Sequence, residues 1–355
     1  MNEKFELISE IELELKKGSA GRLFAFALHL NQSIPLNLEH KSKSQRGYDY
    51  YRPRLPAIVR ANPPQLVRTM SAHLALKKIA WECFSQLQGN QDTVLYGVDE
   101  EGVHQMRIAL RRLRSSLNIF GSIINQHSCT HIIKDLRWIT KVLGQARDLD
   151  VFAKHTLPSI LQLYPDQPSL IQLNEKVHNA GRKAKNKVRK AIRSQRYQHM
   201  LLSVGDWLEN ERWRKNNSVE YKVLEIASPM LSKRHKQLKK QGKFLMQVPQ
   251  KQRHATRIAA KKLRYAIEFF SHLYPKGKLR NFLPALTKLS DTLGALNDIC
   301  ISENIAQKLI GKQAKPALMQ SLDILANWNA YNTKLQLQNL KRNWKRFEQL
   351  KPRWD

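Results

Sequence analysis

His104, Arg107, Arg111 and Arg114 follow one another at intervals of three, four and three residues. On a helix of 3.6 residues per turn that spacing gathers them within about 80° of arc. The same arrangement returns as His254, Arg257, Lys261 and Arg264. Guanidinium groups match the oxygens of phosphate in pairs, and an ammonium adds a compact point charge. A stripe of this kind is therefore built to hold an anion with many oxygens. His104 and His254 can join it as donors, since adjacent anions raise an imidazole pKa and favour protonation.

Each stripe needs a helix to present it. Met106, Leu110, Leu113, Leu117 and Phe120 gather on a separate face of the first segment, the pattern of an amphipathic helix over residues 101–120. Helical periodicity dominates from Pro64 onward. It predicts helices near 65–88, 101–120, 130–143, 168–198 and 200–212. A second series falls near 219–227, 229–246, 252–273, 278–293, 302–311 and 316–350.

These two series form an internal repeat. An offset of 150 residues carries His104 onto His254, and also carries Leu143, Gly144 and Asp148 onto Leu293, Gly294 and Asp298. Gly144 and Gly294 are placed to end a helix with a left-handed residue, and Asp148 and Asp298 to cap the next one. Further basic residues fall on the last long helix of each half. Arg182, Lys185, Arg189, Arg193 and Arg196 share one face, as do Lys334, Lys341 and Lys345.

The N-terminal region differs. Residues 1–60 carry ten Lys or Arg against seven Asp or Glu, so that +29 of the formal charge of +32 falls on residues 61–355. Ile11, Leu13 and Leu15 alternate with glutamates, which predicts a half-buried strand ended by Gly18. A helix is expected around Leu23–Leu30, then a polar stretch at 41–47 and a Pro-bearing connector at 52–64.

Such a positive excess opposes compaction unless an anion relieves it, so a polyanionic partner is expected. Cys83, Cys129 and Cys300 are odd in number and lack metal spacing, which argues against a disulfide framework and fits a reducing compartment. No apolar run is long enough to cross a bilayer, and the reading is a cytoplasmic protein. There is no phosphate-binding glycine loop, HExxH, paired CxxC or serine elbow. Glu12-Leu13-Glu14-Leu15-Lys16 matches E-x-E-x-K, a strand pattern that chelates a divalent metal against a triphosphate, but any alternating Glu and Leu strand yields that string.

The segments VHQMRIALRRLR, LGQARDLDVF, RHATRIAAKKLRYAIEFF, LGALNDI and WKRFEQLKPRW resemble the CHAD family, the conserved histidine α-helical domain, over about residues 65–355. The resemblance implies an all-α fold of two pseudo-symmetric four-helix bundles, with halves near 65–212 and 219–355, around a basic cavity that binds inorganic polyphosphate. Its implied ligand residues are His104, Arg107, Arg111, Arg114, His254, Arg257, Lys261 and Arg264, with Arg189, Arg193, Lys341 and Lys345 as secondary candidates. Association with polyphosphate granules would follow.

EIELELKKG, RLFAFALHLNQSIPL and SKSQRGY, within residues 1–51, resemble the C-terminal end of a CYTH or triphosphate-tunnel domain, as in two-domain bacterial inorganic triphosphatases. Those residues are too few to close a tunnel, so a truncated, non-catalytic remnant is expected, with no cofactor. Hydrolysis of triphosphate with Mg or Mn at Glu12 and Glu14 would require a complete tunnel. Nucleic-acid binding is a third reading of the charge, but the stripes alternate with aliphatic residues and not with exposed stacking aromatics.

Overall fold

A computed structural model describes residues 7–39, 41–52, 55–97, 99–215, 220–247, 249–311, 316–352 and 354. Among these residues there is no strand, and no helix is long and apolar enough to cross a membrane. The expected strand at 11–15 is absent. Residues 7–15 carry no regular structure and are mostly exposed. An alternating segment becomes a strand only where a neighbour completes its hydrogen-bond ladder, and this one has none. Its glutamates instead pair with the next helix, Glu10 and Glu12 lying 2.9 and 3.1 Å from Lys43.

Two helices precede the connector, α1 (Ala20–Ser33) and α2 (Lys43–Tyr51). The second replaces part of the expected polar stretch, and Ser42 starts it by accepting from the Gln45 amide at 3.2 Å. The first half of the repeat then comprises α3 (Ala72–Gly89), α4 (Gln91–Tyr96), α5 (Glu101–Ile119), α6 (Thr130–Val151), α7 (Leu157–Leu163), α8 (Pro168–Ile192) and α9 (Gln195–Glu209). The second comprises α10 (Val223–Gly242), α11 (Gln250–Phe270), α12 (Lys276–Leu279), α13 (Phe282–Ile310) and α14 (Pro316–Glu348).

Three expected breaks do not occur. Gly144 lies inside α6 and Gly294 inside α13, and neither has a positive φ. A glycine in a helix costs about 1 kcal/mol relative to alanine, less than the burial of Leu136, Ile139, Leu143 and Ala146 returns by continuing the turn. Pro229 likewise sits within α10, where Val223, Ala227 and Leu231 are buried one turn apart and outweigh the single hydrogen bond it removes. The break expected near residue 199 falls earlier, where α8 stops at Ile192 and Ser194 caps α9 from its hydroxyl.

Within each half the helices pack in sequence, α3 on α5, α5 on α6 and α6 on α8, matched by α10 on α11, α11 on α13 and α13 on α14. Between halves each helix also packs on its own counterpart: α3 on α10, α5 on α11, α6 on α13 and α8 on α14. Contact between equivalent elements is what a two-fold relation produces. The backbone repeats it at the entry to both bundles. Ala72 N donates to Tyr221 O at 2.7 Å while Val223 N donates to Met70 O at 2.9 Å, a reciprocal exchange that brackets Ser71 and Lys222.

The N-terminal piece is seated on the first half. Helix α1 lies against α9, with the Phe24 ring over Gly205, where a Cβ would come within 2.3 Å. The connector is also tied down: Asn90 donates to Val59 O at 2.8 Å, and Arg112 to Asn62 O at 3.0 Å.

Candidate functional site

Helices α5 and α11 meet at the pseudo-two-fold, and their buried faces fix the direction of their charged ones. Met106, Ala109, Leu110 and Leu113 are buried on α5, as are Ala260, Leu263 and Ala266 on α11. The cations between these rows turn toward the junction of α5, α6, α10 and α11. There a cavity of about 1070 Å³ opens. Among the described residues its walls carry eight Lys and Arg and no Asp or Glu.

Four of the expected residues line this cavity, Arg111 and Arg114 from α5 and Arg257 and Lys261 from α11. Arg257 is only 9% exposed and its Nε has no hydrogen-bond partner. Burial lowers the Lys261 pKa to about 7, and the charges of Arg257, Arg111 and Arg264 push the same way against Asp298.

The other expected residues stand elsewhere. Arg107 Nη1 donates to Gly144 O at 2.8 Å and to Asp148 Oδ1 at 3.3 Å. Gly144 leaves room for that guanidinium, since a Cβ would sit 3.3 Å from it. Asp148 and Asp298 are thus not helix caps. They lie mid-helix as internal counter-charges near the pseudo-axis, Asp298 with a carboxyl pKa raised chiefly by burial despite Arg257 and Lys261.

His104 is half-buried, and burial, reinforced by Arg147, Arg107 and Lys261, lowers its pKa to about 4. Without an anion the imidazole is therefore neutral. His254 is exposed, with Nδ1 2.9 Å from Asn297 Oδ1. Arg264 faces a second, smaller groove and lies 3.4 Å from Glu268.

The expected stripe from Arg182 to Arg196 is divided between α8 and α9 and is largely spent within the protein. Lys185 pairs with Asp150 at 3.2 Å, Arg189 Nε donates to Val94 O at 3.3 Å, and Arg196 reaches Asp135 at 2.7 Å. Arg193, Lys341 and Lys345 are exposed, and none of them, nor Arg189, lines the cavity. Glu12 and Glu14 are exposed, and Glu14 pairs with Lys16 at 2.7 Å. Among the described residues no group of three or more His, Cys, Asp or Glu could hold a metal ion.

Of the remaining four cavity cations, three escape the repeat, and Lys262 is the equivalent of Arg112. Lys134 and Arg137 come from α6, Arg234 from α10 and Lys262 from α11. The spacing of Lys134, Arg137 and Lys141 marks a helical stripe that a search of single helices would find. Arg234 has no such signal, because the offset of 150 places Phe84 at its equivalent. It is 5% exposed and donates to Lys262 O at 2.6 Å, Asn118 Oδ1 at 3.1 Å and Ser115 Oγ at 3.4 Å. All three acceptors are neutral, and burial lowers its pKa to about 10.

A family model described as the CHAD domain matches residues 78–307, more than half of the chain. The chain is similar to a crystal structure of the CHAD domain from the plant Ricinus communis, with a TM-score of 0.75 and 28% identity over 84% of this chain and 99% of that one. It also shares its fold with PptA from Streptomyces chartreusis, with a TM-score of 0.62 and 14% identity over 78% of this chain and 99% of that one. An uncharacterized protein of Mycobacterium tuberculosis, MT2285, is 32% identical over 115 residues, which cover 32% of this chain and 22% of that relative.

Proposed function

This chain belongs to the CHAD domain family, and from that premise we propose that it binds inorganic polyphosphate in the cavity between α5, α6, α10 and α11. The observation that carries the reading is the one-sign lining: eight Lys and Arg, with no carboxylate among the described residues. Among the described residues Arg234 and Arg257 are buried there without an ion pair, and a buried charge lacking a counter-ion is costly. A ligand made of linked phosphates supplies that counter-charge along its whole length. Arg111, Arg257 and Lys261 hold it at the pseudo-axis, while Arg107, already bound to Gly144 and Asp148, shapes the field behind them.

We assign the binding to the helical region and no hydrolysis to the N-terminal piece, whose Glu12 and Glu14 are spread on the surface and engaged by lysines. Calorimetric titration with long-chain polyphosphate tests the reading. Arg111→Glu with Arg257→Glu is expected to weaken binding about tenfold or more, and reversal of Lys183 with Lys187, exposed on α8, only slightly. Equal losses would mean diffuse surface attraction. Displacement by duplex DNA at equal phosphate concentration would favour nucleic acid as the ligand.

A further inference from the structure

The cavity has a pseudo-symmetric mate, and the connector narrows it. A groove of about 260 Å³ is lined by Ile108, Arg112, Arg264, Tyr265 and Glu268. The offset of 150 residues relates these to Ile258, Lys262, Arg114, Ser115 and Asn118, all of which line the large cavity. In the smaller groove the connector lies across the opening, with Arg60, Ala61 and Pro63 in its wall and Asn62 O accepting from Arg112. Glu268, where the cavity has Asn118, sits 3.4 Å from Arg264. One side of the pseudo-axis is thus narrowed by the chain itself, with Arg60, Arg112 and Arg264 facing the single carboxylate of Glu268.

The open side gains charge that the repeat does not supply. Lys134 and Arg137 on α6 correspond to Pro284 and Thr287 on α13. Both are exposed at the cavity wall beside Arg114, close enough that Arg137 and Arg111 each add to the effect of burial in lowering the Arg114 pKa. The neighbouring acid, Asp135, is taken by Arg196 at 2.7 Å.

We propose that Arg114, Lys134 and Arg137 form an outer anion subsite, so that a polyphosphate chain held at the pseudo-axis leaves the cavity over the first half only. The inference rests on the polyphosphate reading above and adds a direction to it. A short chain is satisfied at the axis, whereas a long one also crosses the outer subsite.

The test compares tripolyphosphate with long-chain polyphosphate on the full chain. Lys134→Glu with Arg137→Glu, at exposed positions that leave the core intact, is expected to weaken the long chain about tenfold or more. The salt slope for the long chain falls by about two, one per lost phosphate contact, while tripolyphosphate binding stays within about twofold. Equal loss for both lengths, or no loss for either, overturns the subsite. Thr287→Glu, the mirrored position, should leave long-chain affinity unchanged, and a loss matching the double variant would mean that the chain leaves on both sides. If the unaltered protein binds neither length, the polyphosphate reading fails and the subsite with it.

Discussion

Arg107 Nη1 lies 2.8 Å from the carbonyl oxygen of Gly144, one turn before the Asp148 carboxylate that it also meets. Its repeat partner Arg257 is buried with an unpartnered Nε, and nothing lies within 4 Å of a Cβ built on Gly294. Two equivalent arginines on equivalent helices therefore do different work. One is locked to its own half, and the other is buried with a nitrogen that has no partner.

The glycines report this difference. Gly294→Ala fills open space inside a helix and is expected to raise stability by about 0.5–1 kcal/mol. Gly144→Ala should gain less, because its methyl group arrives 3.3 Å from Arg107 Nη1 and the guanidinium must give by a few tenths of an ångström. Denaturant midpoints of the two variants measure the gap. Equal gains would show that the Arg107 contact contributes little.

Lys261 sets a pH dependence. Its pKa is about 7 in the fold against an ordinary 10.5, so between those values the unfolded chain binds the extra proton and stability rises with pH. A bound polyanion reverses the balance by favouring the charged ammonium. Polyphosphate binding is then expected to take up close to one proton near pH 8.5 and to weaken as pH climbs from about 7 toward 10.5. Calorimetry in buffers of different ionisation enthalpy counts the proton, and the effect should vanish in Lys261→Met.

His104 works in the same direction at lower pH. With a pKa of about 4 against an ordinary 6.5, it favours folding above 6.5, and this contribution is lost as pH falls toward 4. His104→Gln is expected to flatten the pH dependence of stability in that window. An unchanged profile would mean that another group carries the titration.

Arg234 separates binding from folding. Arg234→Met removes a buried charge that has only neutral acceptors, so unliganded stability should change by less than about 1 kcal/mol. Polyphosphate affinity is expected to fall about tenfold. A large loss of stability with unaltered affinity would make this arginine a strut between α5, α10 and α11 and not a ligand residue. In the unaltered protein, polyphosphate at about one hundred times its dissociation constant should stabilise the fold by about 2.7 kcal/mol.

The sequence by itself determined the two stripes, the helices that carry them and the offset relating them. Each of these is a property of one helix or of two segments laid side by side: a period of 3.6 sorts Arg107 from Leu110 without reference to anything else. The same reasoning erred at Gly144, Gly294 and Pro229, because a local breaker signal of a few kcal/mol is overridden when buried residues on both sides continue the turn. Tertiary structure alone decided which cations share a cavity. A helical wheel gives the face of a charge on its own helix, not the azimuth of that helix against three neighbours, so Arg264 fell to one groove and Arg114 to the other. It also decided the asymmetry. Arg234 has a phenylalanine as its repeat equivalent, and the connector that narrows the mirrored groove lies outside the repeat. Only the packing of non-equivalent segments onto a symmetric frame makes one side of the axis a large cavity and the other a narrow groove.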